Sequence, residues 1–157
     1  MIAWTEQQVM VRDMIRDFVE KEIVPHIDDL EYNGVPPYDI LRKMFKTFGM
    51  DEMGRARFDA QIAKEEALAR GEEPEEKPAK KETGGPVTED ALNAAAMSIL
   101  PAIEISRHCQ GLITAMGVSV GLAAGAIMSK GSLAQKKKYG GELSTLEKIG
   151  AWAITEP

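Results

Sequence analysis

The sequence predicts a mainly α-helical protein, a helical bundle closed by one short C-terminal strand. Several stretches place apolar side chains at the three- and four-residue spacing of amphipathic helices, and capping residues precede three of them. Only residues 150–155 alternate small and large side chains in the manner of a strand. The chain has 157 residues, of which 44% are hydrophobic and 28% charged, which is the composition of an ordinary globular domain.

Three helices are predicted in the first half of the chain. Thr5 and Gln8 have the spacing of a capping box, and apolar residues follow at helical spacing up to Pro25, which is expected to end or kink the helix. A second amphipathic helix is predicted over residues 38–48. A third is predicted roughly over residues 56–70, where the apolar positions are fewer.

A charged stretch at residues 71–87 is predicted to be a linker or a surface excursion. It alternates glutamates and lysines with Pro74 and Pro78, and it has almost no large apolar side chain. Such a segment buries too little apolar surface to offset its ordering entropy. We therefore expect it to make few core contacts and to be cleaved early by proteases.

The second half begins with a helix that Thr88 is expected to cap, and a break or kink is expected at Pro101. An uncharged helix over residues 109–129 follows. Ser132 is the expected cap of a short helix that ends near Tyr139. The short strand then closes the chain.

The uncharged helix is long enough to span a bilayer. Gly117, Gly121 and Gly125 also have the small-residue spacing that lets membrane helices approach one another. However, the stretch contains few strongly apolar side chains. We expect a helix buried on all sides within a soluble bundle, and the alternative is a single membrane span.

Composition argues against several classes of site. The chain has one cysteine, Cys109, and two histidines, so neither an intramolecular disulfide nor a metal site is expected, and the thiol is predicted to be buried and inert. The net charge of −6 argues against nucleic-acid binding, and the run Lys136 to Lys138 is predicted to be a solvated helix face. No signal peptide is seen. With one cysteine and no possible intramolecular disulfide, a reducing, intracellular setting is expected.

Three blocks near the C-terminus have a family-like spacing: Gln-Lys-Lys-Lys-Tyr at 135–139, Glu-Lys-Ile-Gly at 147–150, and Trp-Ala-Ile-Thr-Glu-Pro at 152–157. This pattern resembles that of the acyl-CoA dehydrogenase family. The opening Thr-Glu-Gln at 5–7 and the later Phe-x-x-x-Glu-Ile-x-Pro at 18–25 are similar to the family's first helix.

The resemblance implies a fold and a cofactor. Residues 1–149 would form the family's N-terminal domain of about five or six helices, and residues 150–157 would be the first strand of a truncated middle β-domain. The implied cofactor is FAD. Trp152 would lie against the flavin ring edge, the Ile154 backbone on the pyrimidine, and the Thr155 hydroxyl near N5.

The resemblance also implies a substrate, an acyl-CoA thioester that is oxidised to the 2,3-enoyl-CoA. In the uncharged helix, Val118, Ser119, Val120 and Leu122 would line a slot for the acyl chain, where the glycines leave side-chain volume free. The alternative is that these small residues simply pack against a neighbouring helix.

The implied partners are the remainder of the enzyme or a second subunit, further copies in a homo-oligomer, and an electron-transferring flavoprotein as acceptor. The expected location is the cytoplasm, or the mitochondrial matrix in a eukaryote. Because the family's base is expected in a C-terminal domain, no residue of this chain is expected to be catalytic, and the chain alone is predicted to be inactive.

One departure from the family leaves the acyl chain length open. The family's glycine-rich segment after the second helix is missing, and the charged stretch takes its place. The alternative function is a non-catalytic, soluble helical binding or scaffold module, because no complete catalytic set is present.

Overall fold

A computed structural model describes residues 4–72, 88–153 and 155 of the chain. As predicted, the described part is mainly helical. Its α-helices are α1 (Glu6–Phe18), α2 (Ile27–Glu31), α3 (Tyr38–Thr47), α4 (Met50–Ala69), α5 (Glu89–Ser106), α6 (Gln110–Met116), α7 (Gly125–Lys130), α8 (Leu133–Gln135) and α9 (Gly141–Ser144). Wider π-helical turns lie at Val19–Ile23, Gly117–Ala124 and Lys136–Gly140, and a 3₁₀ turn lies at Val24–His26.

The chain divides into two compact units, each of which combines an N-terminal and a C-terminal part. The first comprises Met1–Pro36 and Lys80–Ile113, and the second comprises Pro37–Ala79 and Thr114–Pro157. The domain boundary predicted between residues 149 and 150 is not tested by this division and stays a prediction. Most of the predicted charged stretch, residues 73–87, lies outside the described residues.

The first unit is built on α1 and α5, which pack side by side. The predicted capping box is present: the Thr5 hydroxyl accepts from the Gln8 backbone N–H at 3.2 Å, and the Gln8 side chain accepts from the Thr5 N–H at 2.9 Å. The Gln8 amide also donates to Asn93 at 3.2 Å, which ties the start of α1 to α5. Ile15 and Leu100, one on each helix, are buried in the core.

Pro25 and Pro101 both lie within helical stretches of this unit. After α1 the chain remains helical through a π turn and the 3₁₀ turn that contains Pro25. α5 begins at the predicted cap, where the Thr88 hydroxyl accepts from the Ala91 N–H at 3.2 Å. It then runs to Ser106 through Pro101, so the helix is not broken there, and a kink, the other predicted outcome, stays a prediction. Proline removes one hydrogen bond from the helix, and here the packing of α5 on α1 holds the helix together around it.

The second unit begins with α3 and α4. α3 buries Leu41, Met44 and Phe45 on one face, as its apolar spacing predicts. Gly49 follows in the left-handed conformation, with φ of 64°, and α4 starts at the next residue. The third helix therefore begins six residues before the predicted start at residue 56, because Gly49 both ends α3 and caps α4.

The predicted strand at the C-terminus is not confirmed. Residues 149–153 and 155 have no regular secondary structure, and no strand occurs anywhere in the described part of the chain. A strand is stabilised by backbone hydrogen bonds to a neighbouring strand. The alternating pattern of residues 150–155 reports a preference for extended backbone, and the described residues supply no second strand to pair with it.

Candidate functional site

The C-terminal segment, defined here as residues 147–155, follows a tight turn in the second unit. Leu146 in this turn is fully buried and has φ of 60°, a left-handed conformation that is unfavourable for leucine. The Arg42 Nε of α3 donates to the Leu146 carbonyl oxygen at 2.8 Å. The Lys148 N–H donates to the Glu142 carbonyl at 3.0 Å. These two bonds hold the strained turn and fix where the segment starts.

Gly150 joins the C-terminal segment to the uncharged helix. Its N–H donates to the Ser119 hydroxyl oxygen at 3.0 Å, and Ser119 is fully buried. A Cβ on Gly150 would lie 2.5 Å from the Ala123 Cβ and 3.3 Å from a Leu143 methyl, so only glycine fits this contact. The structure thus brings together two of the predicted site regions, the substrate-side helix and the flavin-side segment.

Beyond Gly150 the segment is exposed. Trp152 is 43% exposed, and Ala151, Ala153 and Thr155 are exposed as well. Ile154 lies outside the described residues. An exposed indole supplies an aromatic surface, and an exposed hydroxyl supplies a hydrogen-bond donor, which are the groups that the predicted contact with a flavin edge requires. The contact itself stays a prediction.

The predicted acyl-chain residues lie in the π-helical turn between α6 and α7. Val118 and Val120 are half-buried, and Leu122 is 51% exposed. Gly117 and Gly121 are exposed, and a Cβ on either would meet no atom within 4 Å. Within the described residues, the missing side-chain volume is therefore open on this surface and not filled by a neighbouring helix.

Ser119 differs from the other three predicted acyl-chain residues. It points to the buried side of the helix, together with Ala123 and Ala124, and its hydroxyl is engaged by Gly150. The predicted burial of this helix on all sides is wrong. Among the described residues, Gln110–Lys130 is a helix long and apolar enough to cross a membrane by length and composition, with a mean hydropathy of 1.8, and 22% of that apolar stretch is buried.

The lysine run belongs to the scaffold of the site. Lys136 is buried, and its Nζ lies 2.8 Å from both carboxylate oxygens of Glu65 on α4. Lys137 pairs with Glu66 one residue further along the same helix. Hydrogen bonding from these lysines lowers the pKa of both glutamates. The prediction of a solvated face is therefore wrong at Lys136, whose positive charge is paired with the Glu65 carboxylate on α4.

The first unit contains a carboxylate held by two arginines. Glu104 is 4% exposed; it accepts from Arg16 Nε at 2.9 Å and Nη2 at 3.0 Å, and from Arg107 Nη1 at 2.9 Å. The hydrogen bonds from Arg16, then those from Arg107, lower the pKa of Glu104 although burial opposes this. Arg107 lies one helical turn after Glu104 of α5, whereas Arg16 is 88 residues distant in sequence and gave no sequence signal.

Cys109 is buried, as predicted, and its thiol donates to the Glu31 carboxylate at 3.0 Å. Burial, and then the neighbouring Glu31, raise the pKa of this thiol, which makes it a poor nucleophile. Among the described residues, no group of three or more histidine, cysteine, aspartate or glutamate side chains could hold a metal ion.

Comparisons with known proteins place these features in a family. Residues 5–57 match the family model "Acyl-CoA dehydrogenase, N-terminal domain". Over 156 residues the chain is 30% identical to an acyl-CoA dehydrogenase of Bacillus subtilis, with 98% of this chain and 32% of that protein covered. It is 29% identical over 153 residues to the short-chain specific acyl-CoA dehydrogenase of Clostridium acetobutylicum, with 98% and 32% covered.

A mitochondrial relative from Rattus norvegicus, a short-chain specific acyl-CoA dehydrogenase, is 30% identical over 152 residues, with 97% of this chain and 30% of that protein covered. No solved structure matches the chain at a significant level. The chain thus spans about a third of the length of the curated relatives that it matches. The motifs at both of its ends and these matches support the conclusion that the chain is an N-terminal fragment similar to acyl-CoA dehydrogenases.

Proposed function

We propose that this chain is the N-terminal part of an FAD-dependent acyl-CoA dehydrogenase that oxidises an acyl-CoA thioester to the 2,3-enoyl-CoA. The single observation that supports it most is the attachment of the C-terminal segment to the uncharged helix through Gly150 and Ser119. This contact joins the region proposed to face the flavin to the region proposed to face the acyl chain. An acyl-CoA dehydrogenase needs both regions side by side, because its substrate must lie against its cofactor.

On the flavin side, the proposed contacts are Trp152, Ile154 and Thr155. FAD, when bound, accepts the hydride that leaves the acyl β-carbon. The exposed Trp152 indole would pack against an edge of the ring, and the Thr155 hydroxyl would donate a hydrogen bond. The Ile154 N–H group would donate to the pyrimidine. These residues bind and orient, and they move no proton.

On the acyl side, we propose that Val118, Val120 and Leu122 line the slot. Their side chains are apolar and partly exposed, beside glycines that leave the surface open. Burial of an acyl chain against such a surface contributes roughly 0.8 kcal/mol for each methylene group removed from water. Ser119 is assigned a different task, because its hydroxyl is already hydrogen-bonded to Gly150.

The proposed partners follow from the length of the relatives and from one exposed surface. Leu92, Ile99 and Ile103 form an apolar stripe along one face of α5, and they are 59%, 53% and 40% exposed. Such a stripe is typical of a surface that another polypeptide segment covers. We propose that the rest of the family fold, in one polypeptide or in a second subunit, covers it and contributes the base. Assembly as a homo-oligomer, an electron-transferring flavoprotein as acceptor, and a cytoplasmic or mitochondrial-matrix location are parts of the same proposal.

A chimera tests the proposal. In it, this chain replaces the equivalent N-terminal third of the Bacillus subtilis relative, which supplies the remainder of the family fold. The purified chimera is titrated anaerobically with acyl-CoAs of increasing chain length. We expect bound FAD and loss of the long-wavelength flavin absorption with at least one acyl-CoA.

The unmodified Bacillus subtilis protein is the control for fold and cofactor content. A chimera with the same circular dichroism that binds no FAD would contradict the flavin proposal. A chimera that binds FAD but is reduced by no acyl-CoA would contradict the acyl proposal. Failure of both in a folded chimera would favour the alternative, a non-catalytic binding or scaffold module.

A further inference from the structure

The contact between the uncharged helix and Gly150 has the properties of a positioning device. Ser119 is fully buried, and its hydroxyl oxygen is engaged by a residue outside its own helix. It accepts the Gly150 N–H at 3.0 Å, from a residue 31 positions further along the chain. Gly150 is half-buried, and the partner of its backbone N–H is a side chain of the uncharged helix.

Close packing reinforces this hydrogen bond. Gly150 approaches Ala123 so closely that a Cβ on it would lie 2.5 Å from the Ala123 methyl. The same added atom would lie 3.3 Å from Leu143 and 3.5 Å from the Ser119 carbonyl oxygen. The side of Gly150 on which a Cβ would stand is therefore packed against two helical segments, which resist movement of the backbone towards them.

Gly150 is also the last described residue of the C-terminal segment that is partly buried. Ala151, Trp152 and Ala153 are exposed, and so is Thr155. The direction in which these residues leave the protein is consequently set at Gly150, and the strained turn at Leu146 sets only where the segment starts.

We propose that Ser119 and Ala123 are positioning residues that seat Gly150 and thereby fix the direction of Trp152 and Thr155. The proposal deepens the proposed function, on which the purpose of this seat rests. It assigns Ser119 a role in orienting the flavin-side wall from the acyl-side helix, in place of direct contact with the acyl chain. A movement of the acyl-side helix would then shift Trp152 and Thr155, because the Ser119 hydrogen bond and the Ala123 methyl contact both act on Gly150.

The test uses the 157-residue chain itself and needs no cofactor. Amide exchange at residue 150 is measured by NMR, and the emission anisotropy of Trp152 is measured in a Trp4→Phe background. Ser119→Ala removes the acceptor, so we expect exchange at residue 150 to become roughly tenfold faster and the anisotropy to fall. Ser129→Ala is the matched control, because Ser129 is an exposed serine of the same helix whose hydroxyl bonds to the Ala126 carbonyl.

A methyl swap separates positioning from general damage. Gly150→Ala should release Trp152, and Gly150→Ala combined with Ala123→Gly should restore its anisotropy, because the same methyl group then occupies the contact from the other side. Urea denaturation of each variant reports global stability, which the swap is not expected to recover in full, since glycine destabilises a helix.

Two results would overturn the proposal: exchange at residue 150 that is unchanged by Ser119→Ala, or a methyl swap that leaves Trp152 as mobile as Gly150→Ala alone does. These outcomes differ from failure of the proposed function. That failure would appear in the chimera as missing FAD or missing flavin reduction, while amide exchange at residue 150 would still be faster in Ser119→Ala.

Discussion

A pair of glycine substitutions in the second unit should have opposite effects on stability. Gly54 lies in α4, and a Cβ there would be 2.9 Å from the Ser144 carbonyl oxygen at the end of α9. Gly125 begins α7, and a Cβ there would meet no atom within 4 Å. Both residues have a helical backbone, and both belong to the same compact unit. They therefore differ chiefly in the space available to an added methyl group.

The expected magnitudes follow from two terms. Replacement of glycine by alanine within a helix favours folding by up to about 1 kcal/mol at either position. At Gly54 the new methyl also forces α4 and α9 apart, and overpacking of this kind costs about 1–3 kcal/mol because the obstructing atom is backbone. Gly125→Ala should therefore stabilise by up to about 1 kcal/mol, and Gly54→Ala should destabilise by about 1 kcal/mol on balance.

Urea denaturation followed by circular dichroism measures both variants against the parent chain, and equal slopes would show that the unfolding transition is unchanged. If Gly54→Ala is as stable as Gly125→Ala, the close approach of α4 to α9 is not present in solution. The packing of α4 that also pairs Glu65 with Lys136 would then be in doubt as well.

Other predictions concern charge, membrane association and proteolysis. Because the pKa of Glu104 is lowered in the folded state, its contribution to stability is present above the unfolded-state pKa and is lost as pH falls through the folded-state pKa. Glu104→Gln should therefore reduce the loss of unfolding free energy that acidification causes in the parent chain. Lys136→Met should destabilise by about 1–2 kcal/mol in urea, and the exposed control Lys138→Met by at most about 0.5 kcal/mol. The chain should remain in the supernatant when membranes are pelleted without detergent, and recovery of Gln110–Lys130 in the membrane pellet would contradict this. Trypsin should cut first within residues 71–86, and a first cut elsewhere would show that the sequence pattern there was misinterpreted.

Local sequence patterns predicted the three capped helix starts, while the start of α4 was predicted six residues too late. The caps at Thr5, Thr88 and Ser132 are all present, because each depends on a hydrogen bond three residues away. The strand at residues 150–155 was not confirmed, because strand formation depends on a partner elsewhere in the structure. The break at Pro101 was overridden by packing of α5 on α1, which the sequence of α5 alone does not contain.

The site was harder to predict than the fold for two physical reasons. The uncharged helix widens into a π turn over Gly117–Ala124, so the faces expected from α-helical spacing no longer apply, and Ser119 is buried while Leu122 is exposed. The contacts that orient the C-terminal segment also join distant residues: Arg42 reaches Leu146 over 104 positions, and no local pattern encodes that pair.

The most direct test of the central claim, that the C-terminal segment forms one wall of an FAD site, is the FAD dissociation constant of the chimera with Trp152→Ala. Trp4→Ala, which changes the other tryptophan in the first unit, is the control. We expect Trp152→Ala to weaken FAD binding roughly tenfold, because an aromatic contact at the ring edge is lost. Trp4→Ala should leave the FAD dissociation constant unchanged. Equal FAD affinity in the parent chimera and in both variants would contradict the claim.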